Sequence, residues 1–328
     1  MSRFLTVALL VGIAVLAAAA FVDALRSDGP VDPAPTEPTS TEAGGEEAEA
    51  LAAAGIAGTL LYTDAADCSL RGLTLPALRP TEAPDWDTCA FELGPGASVA
   101  PAGTVFDGRR GLRAEEFAGG VDVVDPRART GRRFENARAP AFRPDGTLTI
   151  VQGGSLVALS PCPGSAPTLE AVGSCRSTLA TEEELTSLAQ LSVDPRPLRL
   201  ALESIAWLGD DTFAALAQAG LSDVLLGVEV GATTPVVEVW FEDDSLTGLE
   251  LSPRRRFVSV VTATGELGVF DGSGALLGLR GTRVRAAAWS SDERWLAMID
   301  GDSLLFVDAR NGEGVGPVPL SARDLAWG

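Results

Sequence analysis

The chain has 328 residues, a formal net charge of −20 at pH 7, and neither His nor Lys. Without those residue types, Ser-His-Asp and Cys-His nucleophile systems, His-ligated zinc, Schiff-base lysines and the P-loop lysine are excluded. The acidic balance argues against nucleic acid or an anionic lipid surface as partner, since both need a basic footprint.

Phe4–Val22 (FLTVALLVGIAVLAAAAFV) is apolar apart from Thr6. As a helix it spans about 28 Å, enough for a bilayer core of ~30 Å. Arg3 precedes it and acidic residues dominate after it, which places the N-terminus in the cytoplasm and the rest outside. The expectation is an uncleaved signal anchor over residues 1–26, with the remainder extracytoplasmic. A cleaved signal and secretion is the alternative. Residues 27–54 read as an acidic Pro/Thr/Glu/Ala-rich linker, too polar to bury a core, although Glu46–Ala54 can form a short helix at its end. The folded domain is expected over 55–328.

Within that domain one local pattern recurs: small residues, a bulky apolar anchor, a polar turn, then a strand. The anchors are Val99 (SVAPAGTVF), Phe142 (PAFRPDGTLTIV), Trp207 (IAWLGDDTFAALA), Leu251 (LELSPRRRFVSVV), Trp289 (AAAWSSDERWLAMI) and Trp327 (DLAWG). Their spacings are 43, 65, 44, 38 and 38 residues. Periods near 40 with several short strands each indicate propeller blades. Third strands end in Asp before a Gly-containing turn, as in VDVVD at 121–125, GVFDGSG at 268–274 and LFVDARNG at 305–312. Asp and Gly suit such turns because they tolerate unusual backbone angles.

The last anchor ends the chain, while Gly58–Tyr62 reads as a second strand with no first strand before it. Both defects vanish if Leu320–Trp327 supplies the innermost strand of the first blade. The expected fold is therefore all-β: a six-bladed β-propeller closed by its C-terminal strand and preceded by one transmembrane helix. The blades fall at roughly 58–95, 97–137, 138–200, 203–243, 247–282 and 284–319. The turn motif RPDGTLTIV and its relatives SPRRRFVSVV and SSDERWLAMI resemble the repeat of TolB-like and WD-repeat-like six-bladed propellers over about 55–328. That resemblance implies an extracytoplasmic binding platform and, in some relatives, an enzyme.

Four cysteines lie on the expected outer side: Cys68, Cys89, Cys162 and Cys175. An even count in an oxidising compartment reads as two disulfides. Three pairings are possible, and proximity favours Cys68–Cys89 and Cys162–Cys175. The long spacing between Phe142 and Trp207 leaves an insertion at about 160–195. It holds one cysteine pair and then TEEELTSLAQL, where Thr181 and Glu184 form a capping-box pattern and Leu185, Leu188 and Leu191 share a helical face. The helix either contacts a partner or covers its own blade.

Innermost strands and the loops before them bring Glu203, Glu250, Arg283, Arg285, Arg323 and Asp324 towards the channel mouth, where mixed Arg and carboxylate groups can hold an anionic group or pair with one another. The loop 106–119 (FDGRRGLRAEEFAGG) is long and charged; Arg254–Arg256 reads as an exposed turn; Asp210–Asp211 and Glu242–Asp244 lack the regular alternation of a calcium loop. No catalytic residue, metal site or cofactor is expected. The function read from the sequence is a membrane-anchored binding or scaffold module for a protein or cell-envelope partner. The alternative is a propeller-fold enzyme of the hydrolase or quinoprotein-like kind.

Overall fold

The computed structural model describes residues 44–83, 91–94, 98–101, 104–107, 111–117, 119–164, 169–189, 199–231 and 234–328. The expected membrane segment Phe4–Val22 and the linker residues 27–43 lie outside these. No helix among the described residues is long and apolar enough to cross a membrane.

The first described element is a helix, α1 (Gly44–Ala54), and it corrects the expected linker boundary. Its Ala-rich sequence favours helix, and Glu46 and Glu47 in the first turn suit the positive end of the helix dipole. Gly55, at φ 74°, ends it. The Gly55 amide donates to the Ala52 carbonyl and the Ile56 amide to that of Leu51, the paired bonds of a Schellman cap. Leu51 and Ile56 are buried against Val318, Leu304 and Leu325. Two apolar side chains at the right spacing bring the end of this helix into the core.

Six four-stranded antiparallel sheets follow. From the innermost strand outwards, the second blade is Thr104–Phe106, Arg113–Phe117, Gly120–Asp125 and Thr130–Glu135. The third is Ala137–Phe142, Leu148–Gln152, Ser155–Ser160 and Cys175–Thr181. The fourth is Leu200–Trp207, Thr212–Ala219, Ser222–Glu229 and Val236–Asp243. The fifth is Leu246–Leu251, Phe257–Thr262, Leu267–Asp271 and Leu276–Arg280, and the sixth Val284–Trp289, Trp295–Asp300, Ser303–Asp308 and Gly314–Pro319. The second strands of the third to sixth blades are largely buried on both faces. They therefore carry apolar runs, such as WLAM at 295–298 and FAALA at 213–217, instead of the alternation of a half-exposed strand. Outer strands show the polar face that the inner ones lack, as in Thr130–Glu135.

Phe142, Trp207, Leu251, Trp289 and Trp327 each end the innermost strand of their blade. Val99 does not. It lies in Ser98–Pro101, which pairs with Phe91–Gly94 as a separate hairpin, and the second blade's innermost strand ends seven residues later at Phe106. The alternating small residues of SVAPAGTVF fit either register, and only pairing with Arg113–Phe117 selects the later one. That strand also corrects the expected loop 106–119, since Arg113–Phe117 within it is a strand.

The first blade is assembled from both ends of the domain. Ala322–Trp327 pairs antiparallel with Gly58–Asp64, with Leu60 opposite Trp327 and Tyr62 opposite Leu325. Leu70–Leu75 and Arg79–Thr81 complete it. Trp327 is 7% exposed although it is the penultimate residue. Its indole donates to the Ala57 carbonyl at 3.2 Å, and its ring meets Phe306 of the sixth blade edge-on at 5.5 Å. Gly58 is required beneath it: φ is +125°, and a Cβ there would stand 2.7 Å from the indole nitrogen.

The insertion occupies the connection between the third blade's outer two strands and continues past them. Cys162–Cys175 is a disulfide with Cα atoms 4.9 Å apart, stapling that connection at its base. Cys68 is also disulfide-bonded; Cys89, its expected partner, lies outside the described residues. The helix α2 (Glu182–Leu188) starts at Thr181, whose hydroxyl accepts the Glu184 amide at 3.1 Å. Leu185 is fully buried in the core shared by the third and fourth blades, so α2 seals that seam. Leu191 lies outside the described residues.

Trp327→Ala should cost about 3–5 kcal/mol, the range for a buried large aromatic, and deleting 320–328 should cost more, because the first blade loses its innermost strand. Urea melts of the folded domain would read both; a truncated chain with an unchanged midpoint would rule out the closure. Replacing Cys162 and Cys175 by Ser should cost roughly 3 kcal/mol from loop entropy, measured in the same way.

Candidate functional site

Each innermost strand runs from one end of the channel to an anchor residue at the other. Near its start the register breaks in five of them among the described residues. The extra residues are Ala139 and Pro140 in the third blade, Glu203 in the fourth, Gly248 and Leu249 in the fifth, Arg285 in the sixth and Arg323 in the first. A bulge leaves one residue unpaired and re-aims its side chain. Glu203, Arg285 and Arg323 are all exposed. Arg285 and Arg323 belong to neighbouring innermost strands, those of the sixth and first blades.

These three are the expected channel-mouth residues that the structure sets at equivalent positions. Glu250 stands beyond its bulge, opposite Ser259. Arg283 is engaged within its own blade: its amide donates to Asp300 Oδ1 at 2.8 Å, and its guanidinium lies against Gly301. Asp324 accepts the amides of Leu93 and of Leu325, which ties the Phe91–Pro101 hairpin to the first blade. The Arg323 guanidinium is held at 3.0 Å from Cys68 Sγ. Burial raises the Glu203 carboxyl above the usual carboxylate range; the negative charge of Asp223 adds to this and Arg138 opposes it.

The anchor end is built differently, and sequence reading missed it. In the turn between first and second strands, Gly146, Arg255 and Glu293 occupy the same left-handed position, at φ 86°, 61° and 60°. Such a conformation costs an L-residue roughly 1–2 kcal/mol, so non-glycine residues there need a compensating role. Arg255 Nη1 donates to the carbonyls of Trp207 at 2.7 Å and Phe142 at 3.3 Å, gathering the ends of two other innermost strands. Glu293, with a fully buried side chain, accepts Ser252 Oγ at 2.6 Å, the Arg254 amide at 2.5 Å and Arg256 Nε at 2.5 Å. The triplet Arg254–Arg256 is thus an inter-blade latch and not a plain exposed turn. Aligning RPDG with SPRR and SSDE exposes the signal: Arg and Glu stand where glycine belongs. Arg143 extends the pattern, pairing with Asp211 at 3.3 Å and covering the Trp207 ring at 4.9 Å.

Among the described residues no group of three or more Cys, Asp or Glu is placed to hold a metal ion. In the two acidic turns, Asp211 faces Arg143 and Asp243 accepts the Ala263 amide.

Similarity to solved structures agrees with this architecture. A structure from Bacteroides fragilis NCTC 9343, provisionally named a 6-phosphogluconolactonase, is 10% identical with a TM-score of 0.50, covering 82% of this chain and 97% of that one. At the level of architecture, the chain is a six-bladed β-propeller. A second provisionally named 6-phosphogluconolactonase, from Bacteroides uniformis, gives 0.49 at 10% identity over 82% and 98% of the two chains. The WD40 domain of SCAP from fission yeast gives 0.41 at 11% over 67% and 55%. No family model matches the sequence. No curated protein matches it either. At these identities the likeness concerns the propeller fold alone.

The Glu293 latch sets a pH dependence. Burial works to raise this carboxyl, but the donors on Ser252, Arg256 and Arg254 outweigh it and hold it below the usual range. A lowered folded-state value gives stability that is present above the unfolded carboxylate pKa of about 4.3 and lost as pH falls through the lower folded value. Glu293→Gln should reduce stability at pH 7 and flatten its fall below about pH 4.3. Denaturant midpoints from pH 7 to pH 2 would show this; parallel profiles for both proteins would exclude the latch.

Proposed function

We propose that the protein is a membrane-tethered extracytoplasmic binding module, which holds an acidic group of a protein or cell-envelope partner at the bulged end of its channel. The observation that carries this reading is the placement of Arg285 and Arg323 in equivalent bulges of neighbouring innermost strands. Both residues leave the sheet pairing and are exposed, and a guanidinium is a planar fork of donors suited to a carboxylate or phosphate, with one nitrogen of Arg323 also reaching Cys68 Sγ. Arg255 gathers strand ends at the opposite end, which favours the bulged end as the open one. The Cys162–Cys175 disulfide and the bonded state of Cys68 support an oxidising compartment, and the apolar Phe4–Val22 supports the tether. The lactonase name of the Bacteroides structures comes with 10% identity and transfers no residue of a site.

Two measurements test this. In a bacterial host the full chain should sediment with membranes, and protease added outside the inner membrane should reach the propeller; a soluble chain starting near Phe21 or Leu25 would reject the tether. Used as bait on a cell-envelope extract, the propeller should retain a partner that Arg285→Ala/Arg323→Ala loses by about tenfold or more, as expected for charged hydrogen bonds of ~1.5–3 kcal/mol each. Equal retention by both baits would refute the mouth as the binding site. Because Glu203 titrates above the usual carboxylate range, retention should strengthen as mildly acidic pH removes its negative charge.

A further inference from the structure

Charge is distributed unevenly among the blades. No basic residue occurs between Arg199 and Arg254. The fourth blade, 200–243, therefore has no cation of its own against eight carboxylates: Glu203, Asp210, Asp211, Asp223, Glu229, Glu238, Glu242 and Asp243. Every other blade contains arginine. Neighbours answer part of this charge, since Arg143 pairs with Asp211 and Asp223 and Asp243 accept backbone amides. Glu229, Glu238 and Glu242 stay exposed, all on the outer two strands.

The same blade also exposes apolar side chains to solvent. Leu221, at the tip of the hairpin between its second and third strands, is 98% exposed; Val236 and Val239 on the outer strand are 51% and 39% exposed. The outer strand, Val236–Asp243, has eight residues, the longest outer strand of the six blades. It pairs only inwards, with Ser222–Glu229, and among the described residues its outward edge makes no backbone hydrogen bond. α1 lies on the sixth blade's outer strand, and α2 touches the outer strands of both the third and the fourth blades. The bulge at Trp240 turns that ring towards the fifth blade, where a Cβ on Gly274 would stand 2.2 Å from it. Val236–Val239 is left as an unbroken run on the free edge.

A long, apolar, unpaired edge strand is a template for another strand. Charge decides which strand. A second copy would bring Glu238 and Glu242 against their own kind, and like charges across strands are destabilising. Anionic lipid and nucleic acid are repelled for the same reason. We infer that the outer strand of the fourth blade docks an extended basic segment of a partner protein, with apolar and cationic residues alternating, as a fifth strand of that blade. The main-chain bonds provide attachment, Val236 and Val239 provide apolar contact, and Glu229, Glu238 and Glu242 select cationic side chains. This site is separate from the channel mouth, and its test does not involve Arg285 or Arg323.

The probe is a fluorescein-labelled peptide of alternating arginine and valine, titrated by anisotropy against the folded chain. Binding is expected and should weaken about tenfold or more in Glu238→Lys/Glu242→Lys, with circular dichroism confirming that the variant folds. The same peptide with N-methylated backbone amides keeps its charge and side chains but cannot form a ladder, so it should not bind. Unlabelled chain should remain monomeric in sedimentation at the same concentrations. Absence of binding, retention of binding by the double variant, equal binding of the N-methylated peptide, or self-association through this blade would each overturn the inference.

Discussion

The propeller depends on one antiparallel pairing between segments more than 250 residues apart in sequence. Until Ala322–Trp327 reaches Gly58–Asp64, the first blade lacks its innermost strand and the ring has two open edges. Loop-closure entropy grows only slowly with separation, so what must offset it is local: the ladder itself and the burial of Trp327 among Phe306, Leu304 and Leu60. The closing strand is also shared with neighbouring structure. Asp324 ties in the Phe91–Pro101 hairpin, Arg323 touches Cys68, and the indole of Trp327 reaches Ala57 beside the C-terminal cap of α1. Chain ends normally fray, but both ends of this domain converge on one blade.

Closure fixes the innermost strands as the wall of a channel and makes its two ends unlike. At the anchor end, the turns reach from blade to blade. Arg255 and Glu293 hold left-handed conformations that glycine would adopt at lower cost, and each spends its side chain on a neighbour's backbone or turn. At the other end the strands bulge, and the freed residues point charge outwards. One end is thus held by side-chain latches between blades, and the other carries exposed Glu203, Arg285 and Arg323.

The insertion and α1 share a further role. Outer strands are the weak point of a propeller, because each leaves an unpaired edge. The sixth blade is covered by α1, and the third is stapled by Cys162–Cys175 and sealed towards the fourth by Leu185. The fourth blade's outer strand touches α2 but keeps Val236 and Val239 exposed, and its lack of cations keeps like edges apart. Acidic charge there works against self-association while leaving the strand open to a cationic partner.

The repeat was legible in the sequence because every blade must end its innermost strand with a large apolar side chain at a seam: Phe142, Trp207, Leu251, Trp289 and Trp327 show this locally. The closing strand was legible for the same reason, since a strand motif left over at one end matched a strand missing at the other. The bulge residues were named as mouth candidates, but as six equals. Only the ladders separated Glu203, Arg285 and Arg323, which leave the pairing, from Arg283 and Asp324, which are engaged by Gly301 and the Leu93 amide. Val99 was misplaced because a small-residue strand carries no mark of its partner. The latches of Arg255 and Glu293, and the exposure of Val236 and Val239 on the fourth blade's outer strand, were decided by tertiary structure alone. Sequence records which side chains recur at a fixed period; which backbone they reach depends on blades brought together by the ring.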